Sequence, residues 1–157
     1  MAMRKVLVAY FSASGTTERV ARDIARATGG DLYEVAPQEP YTAADLDWRN
    51  PQSRTSLEHA DDACRPALAA ELPDTAGYNA VFVGFPIWWY VEPRIVDTFV
   101  EGADLANKVV IPFATSGGSG IGRAEERLHE LCPGSAWRPG KLLNGVDAGA
   151  WAGGLAL

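Results

Sequence analysis

Four hydroxyls and one glycine fall within six consecutive residues at Ser12-Ala13-Ser14-Gly15-Thr16-Thr17, between the apolar run Val6 to Phe11 and an amphipathic stretch. A strand-to-helix junction of this kind presents unpaired N–H groups and the positive end of a helix dipole. The hydroxyls add donors that need no cation. That chemistry suits a doubly charged phosphate, and Gly15 lets the backbone turn sharply around it. The loop has no Lys or Arg, Glu18 follows at once, and G-x-x-x-x-G-K is absent, which disfavours a triphosphate held by lysine and magnesium. A plain helix N-cap is the competing reading, for which Ser14 alone would suffice.

A second cluster, Phe85-Pro86-Ile87-Trp88-Trp89-Tyr90, follows another apolar run. A Trp-Trp-Tyr sequence at a strand end is costly to leave in water, so something flat is expected to cover it. A three-ring isoalloxazine would use such faces, with about 0.5–1.5 kcal/mol of aromatic contact beyond area burial. The alternative is that Trp88 or Trp89 packs beneath a neighbouring segment or at a dimer contact.

The third cluster is Thr115-Ser116-Gly117-Gly118-Ser119-Gly120-Ile121-Gly122. Its spacing refuses the dinucleotide fingerprint, because Arg123 stands where the third glycine belongs. It refuses a nucleophile elbow as well, since Ile121 occupies the last glycine of G-x-S-x-G. What remains is either a tight connection or a loop whose N–H groups and hydroxyls can meet the polar edge of a ring system.

The elements that must position these loops read as follows. Val6 to Phe11 and Val81 to Phe85 are continuous apolar runs, the pattern of strands buried on both faces. Thr16 to Thr28 is an amphipathic helix stopped by Gly29 and Gly30, and Leu32 to Val35 is a weaker strand suited to a sheet edge. A helix is expected from Pro93 to Glu101, a strand from Val109 to Ala114 with Pro112 removing one ladder donor, and a helix from Ser119 to Leu131. A short strand near Lys141 to Leu143 and a helical turn around Ala148 to Leu155 complete the count. Between about residues 37 and 77 the periodicity is poor and Pro, Asp, Ser and Arg accumulate, so an irregular excursion with short helices is expected, too long to be idle. This alternation argues an α/β fold: an open, doubly wound, five-stranded parallel sheet of order 2-1-3-4-5 between two helical layers, in a single domain over 1–157. Ligands of such sheets sit at the carboxyl ends of the strands, where the three loops converge.

At 157 residues and 47% hydrophobic content the chain has material for one core. A net charge of -6 opposes nucleic acid and anionic membranes and favours a basic partner. Cys64 and Cys132 are far apart with no C-x-x-C, and His129 is at most half a metal site, so free thiols and no metal are expected. The apolar run after Arg4 and Lys5 is too short for a signal peptide or a span, and a cytoplasmic location is expected.

F-S-A-S-G-T-T, P-I-W-W-Y and T-S-G-G-S-G-I-G, each after a strand, together resemble the flavodoxin family and most closely its small single-domain branch, from about Arg4 to Asn144. The resemblance implies FMN at the switch point of the sheet. It implies that Ser12, Ala13, Ser14, Gly15, Thr16 and Thr17 hold the phosphate and that Pro86, Ile87, Trp88 and Trp89 flank the rings. Thr115, Ser116, Gly117, Gly118 and Ser119 would meet the pyrimidine edge. The pattern Y-T-A-A-D-L-D-W, then S-R, resembles the same branch and brings in Trp48 and Arg54. An arginine beside N1 or O2 would favour two-electron chemistry, whereas a solvated surface charge is the alternative for Arg54. One departure stands out: electron-carrier flavodoxins usually have a glycine in the middle loop, and Ile87-Trp88-Trp89-Tyr90 has none.

Three functions follow from this reading. The first is an FMN-dependent oxidoreductase passing electrons or hydride from NAD(P)H or a reductase to a quinone-like acceptor. The second is a one-electron shuttle docking on a larger redox partner protein, and the third a non-catalytic FMN-binding module. Monomer and homodimer are both compatible with the sequence.

Overall fold

The computed structural model describes residues 5–155 and Leu157. In chain order the elements are β1 (Val6–Tyr10), α1 (Thr16–Thr28), β2 (Asp31–Glu34), α2 (Arg54–Ala60), β3 (Ala80–Pro86) and α3 (Arg94–Gly102). Then follow β4 (Val109–Thr115), α4 (Gly122–Leu131), β5 (Ala136–Trp137), β6 (Lys141–Leu142) and α5 (Ala148–Gly153). All strand pairs are parallel, in the order β2-β1-β3-β4-β5, with β6 also paired to β4. This is the expected flavodoxin-like α/β architecture.

The period of two along each strand divides the core between the faces of the sheet. Val6, Val8 and Tyr10 of β1, Phe82 of β3 and Phe113 of β4 pack with α1 and α5 residues such as Ile24 and Ala152. Leu7, Ala9, Val83, Phe85 and Ala114 turn to the other face, against Ile95 and Phe99 of α3 and Leu128 of α4. Two-sided burial is what makes these strands read as unbroken apolar runs. At Gly84 the α1/α5 face, which Phe113 fills, needs the space: a Cβ there would lie 2.1 Å from the Phe113 ring.

β2 lies at the sheet edge and is largely exposed, in keeping with its charged sequence. The fifth sheet position differs from the expected single strand. β5 and β6 share it, and the register shows why: Val110 pairs with Trp137 but Phe113 with Lys141, so the fifth position has one residue more than β4 across Pro112. Val110 and Ala114 turn their carbonyls toward the fifth position, receiving Arg138 N–H and Leu143 N–H. The backbone nitrogen of Pro112 points the same way and has no hydrogen to donate, so the ladder breaks there.

Several boundaries also move. Pro93 is the N-cap of α3, not part of its first turn. α4 starts at Gly122, not Ser119, because Ser116 Oγ accepts from Gly118 N–H (3.0 Å) and Ser119 N–H (2.7 Å) and holds that stretch as loop. β2 begins one residue early. The excursion contains one helix, α2, capped by Ser53, and is tied back by a bridge between Pro37 and Leu68. Among the described residues no helix is long and apolar enough to cross a membrane.

Candidate functional site

α1 opens at Gly15, whose φ of 92° lies in the left-handed region, and no side chain caps it. Among the described residues the first-turn N–H groups therefore have no side-chain acceptor, and the cap reading of Ser14 fails. Ser14 Oγ instead stands 3.4 Å from Thr16 Oγ1 on the open side of the turn. Ser12 Oγ accepts from Gly15 N–H at 3.1 Å and so shapes the loop from within. Thr17 points inward: its buried hydroxyl meets that of Thr115 at 2.8 Å and ties the start of α1 to the end of β4. Of the six loop residues, Ser14 and Thr16 line the adjoining cavity, whereas Ser12, Ala13, Gly15 and Thr17 do not.

That cavity, of about 350 Å³, is bounded also by Pro86, Ile87, Trp88, Thr115, Ser116, Gly117 and Asn144. It shares Ile87, Trp88, Ser116 and Gly117 with a second hollow of about 490 Å³, closed by Leu46, Trp48, Thr55, Trp89, Gly118 and Ser119. The two are lobes of one cleft at the carboxyl ends of β1, β3 and β4. Among the described residues neither lobe is lined by a charged side chain.

The aromatic wall has two parts. Trp88 meets Phe11 (5.5 Å) and Tyr41 (5.8 Å) edge-on, so it packs beneath the excursion and lines both lobes at once. Trp89 stacks on His59 at 4.7 Å. Between them the chain reverses: Trp88 and Val91 exchange backbone hydrogen bonds of 3.0 and 3.2 Å, and the central residues Trp89 and Tyr90 have φ of 49° and 71°. Bulky side chains there are rare and strain the backbone. Trp48 closes the larger lobe from the excursion and is 64% exposed.

Arg54 is not brought to the cleft. Its Nε donates to Glu58 at 3.0 Å, its Nη1 to the Glu39 carbonyl at 2.7 Å, and its guanidinium lies 4.0 Å from the Tyr41 ring centre. Nor is it a free surface charge. It braces α2 against the excursion, where burial and the Glu58 hydrogen bond keep the Tyr41 phenol protonated well above its ordinary range. Three lining residues escape the sequence reading: Leu46, Thr55 and Asn144. Asn144 accepts from Ser116 N–H at 2.7 Å and follows the last strand, so its place at a strand's carboxyl end was an available signal. Leu46 and Thr55 lie in the aperiodic excursion, where no such signal exists.

Behind the wall lies a buried charge cluster that composition alone does not reveal. Arg127 donates to Glu92 Oε1 and Asp97 Oδ2, both at 2.8 Å, and Arg94 donates to Asp62 at 2.9 Å. Burial, reinforced by Asp97 and opposed by Arg127, pushes the Glu92 carboxyl up to about 8.

The flavodoxin family model matches residues 5–151. The chain belongs to the flavodoxin family. A Bacteroides uniformis protein provisionally described as a flavoprotein is 50% identical, with 96% of this chain and 98% of that one covered and a TM-score of 0.92. A second, from Bacteroides eggerthii and described in the same way, is 49% identical over 94% of each chain, with a TM-score of 0.89. A Lactobacillus acidophilus flavoprotein solved in complex with FMN shares the fold at 19% identity, covering 88% of this chain and 93% of that one, with a TM-score of 0.69. No curated protein matches the chain.

Proposed function

We propose that this flavodoxin-family chain binds one FMN in the two-lobed cleft and moves hydride or electrons from NAD(P)H or a reductase to a small acceptor such as a quinone. The observation that carries the reading is the cleft itself. An uncapped helix start with the Ser14 and Thr16 hydroxyls lies at one end, an indole wall at the other, and among the described residues no charged side chain lines either lobe. The donor set fits the cofactor: a phosphate needs N–H and O–H donors, and a fused ring needs flat apolar faces with polar loops at its edge. The FMN-bound flavoprotein of the same fold supports the assignment.

Bound FMN supplies electron and hydride chemistry, while the chain binds, orients and excludes water. Ser14, Thr16 and the first-turn N–H groups hold the phosphate. Ser12 and Gly15 shape that loop, and the Thr17–Thr115 bond sets its distance from the glycine-rich loop. Trp48, Trp88 and Trp89 enclose the ring region, and the 116–119 loop meets its polar edge. Asn144 fixes that loop by accepting from Ser116 N–H.

A catalytic role is favoured over shuttling by the middle loop. It has no glycine, and two backbone hydrogen bonds clamp it at Trp88 and Val91, so its peptides are not free to turn. The acidic surface, with a net charge of -6, is the feature that favours the shuttle. The test is the absorption spectrum of the purified protein with FMN, followed by NAD(P)H oxidation with a quinone present. Flavin absorbance with turnover supports the oxidoreductase. Flavin absorbance without turnover, with electrons delivered singly to a basic partner, supports the shuttle. A colourless protein that ignores added FMN overturns both.

A further inference from the structure

Trp88 and Thr55 are walls of the cleft on one side and of a small polar chamber on the other. The chamber measures about 10 Å³ and is completed by Glu58, His59, Glu92, Pro93 and Arg94. A space of about 10–15 Å³ accommodates one water when two to four polar groups surround it. Two chamber residues supply them. Glu92 is 1% exposed and Arg94 4%. Among the described residues, Glu92 Oε2 and Arg94 Nε and Nη1 have no hydrogen-bond partner, although their other polar atoms are engaged. Buried polar atoms of this kind are costly unless something satisfies them. Glu58, by contrast, is already bonded to Tyr41 and Arg54.

We propose that the chamber binds one internal water between Glu92 and Arg94, and that Glu92 is the proton-holding group of this site, exchanging its proton through that water in response to charge in the cleft. In the exchange the Glu92 O–H bond breaks and the water takes the proton while releasing one of its own to the His59 imidazole and thence to solvent. No electron moves in this step. The carboxylate left behind faces Arg127 from α4, Arg94 and Asp97 from α3, and Glu58 and His59 from α2. Asp62, just beyond α2, and Arg65, 3.8 Å from Asp97, complete the charges around it. His59 suits the relay: burial and the neighbouring Arg94 hold its pKa below the ordinary value, so it is neutral and able both to accept and to donate. The link to the cleft is electrostatic, across Trp88, and rests on the FMN reading. Negative charge added to bound flavin raises the proton affinity of Glu92.

Infrared spectroscopy of the purified protein, with and without labelled glutamate, tests the proton directly and needs no cofactor. A protonated carboxyl band is expected at neutral pH, titrating away above about 8. It should vanish in Glu92→Gln and survive in Glu58→Gln. Absence of the band in the wild type overturns the proposal whether or not the variants fold. A high-resolution crystal structure should show one water bonded to Glu92 and Arg94, and a chamber filled by a side chain overturns that part. For the coupling, the midpoint potential of bound FMN should fall more steeply with pH above about 8 in the wild type than in Glu92→Gln. Equal slopes overturn the coupling. A protein that shows the infrared band but binds no FMN would overturn the functional reading and the coupling, leaving the protonated Glu92 established.

Discussion

The cleft and the cluster behind it stand back to back across Trp88 and handle charge in opposite ways. Among the described residues the cleft has no charged lining and presents N–H groups, hydroxyls and indoles. The cluster concentrates Glu92, Arg94, Asp97 and Arg127 where water is largely excluded. The difference teaches how an acidic protein can receive a phosphate. Dipoles and hydroxyls meet an anion without a counterion of their own. The cluster must balance itself internally, because a buried charge without a partner costs several kcal/mol.

The contrast breaks first at Arg127, which donates to both Glu92 and Asp97. Arg127→Met should cost about 3 kcal/mol of folding stability at a pH of about 9, where Glu92 is ionised, and less at about 6, read by urea denaturation. A uniform loss below about 1 kcal/mol would mean that the cluster is solvated and that the contrast is false.

On the cleft side, Ser14→Ala with Thr16→Ala removes two donors to a dianion, each worth about 1.5–3 kcal/mol, so FMN binding should weaken about 100-fold or more. Riboflavin, which lacks the phosphate, should bind as before. Equal losses in a fluorescence titration would move the phosphate elsewhere.

The pH dependence of stability sharpens the cluster's side. The Glu92 carboxyl rises from the ordinary 4.5 to about 8, and Asp97 is also shifted upward by burial. Between these values the native state binds a proton that the unfolded chain has lost. Stability from this group is therefore complete below about 4.5 and declines as pH rises through about 8. Glu92→Gln should flatten that decline in denaturation midpoints measured across the window, and an unchanged decline would assign it to other groups.

Smaller effects mark the border between the regions. Arg54→Ala should lower stability by about 1 kcal/mol through its half-buried pair with Glu58 and its stacking on Tyr41, while changing FMN affinity by less than about twofold. A large loss of affinity would return Arg54 to the cofactor. Tyr90→Gly relieves a left-handed residue and should raise stability by about 0.5–1 kcal/mol after the entropy of glycine is counted, visible as a higher melting midpoint.

Much of the fold was legible because parallel strands buried on both faces leave unbroken apolar runs, as at Val6 to Phe11 and Val81 to Phe85. The three loops were legible because each follows such a strand directly. Legibility ended at β5, whose two residues Ala136 and Trp137 give no periodic signal, and in the excursion, where Leu46 and Thr55 reach the cleft through tertiary packing alone. Arg54 and Thr17 show the same limit. A charge or hydroxyl in a motif states what a residue can bond, not which of several partners it meets, and these two meet Glu58 and Thr115.

The amino-acid sequence by itself determined the order of the main strands and helices, the uncharged character of the three loops and the family to which they point, because these depend on local pattern and spacing. Only the tertiary structure decided that Ser14 faces the cleft while Thr17 turns inward, that Trp88 serves two walls, and that Glu92, Arg94, Asp97 and Arg127 gather behind it. Those outcomes depend on which side chains, distant in the chain, are brought within bonding distance and removed from water together.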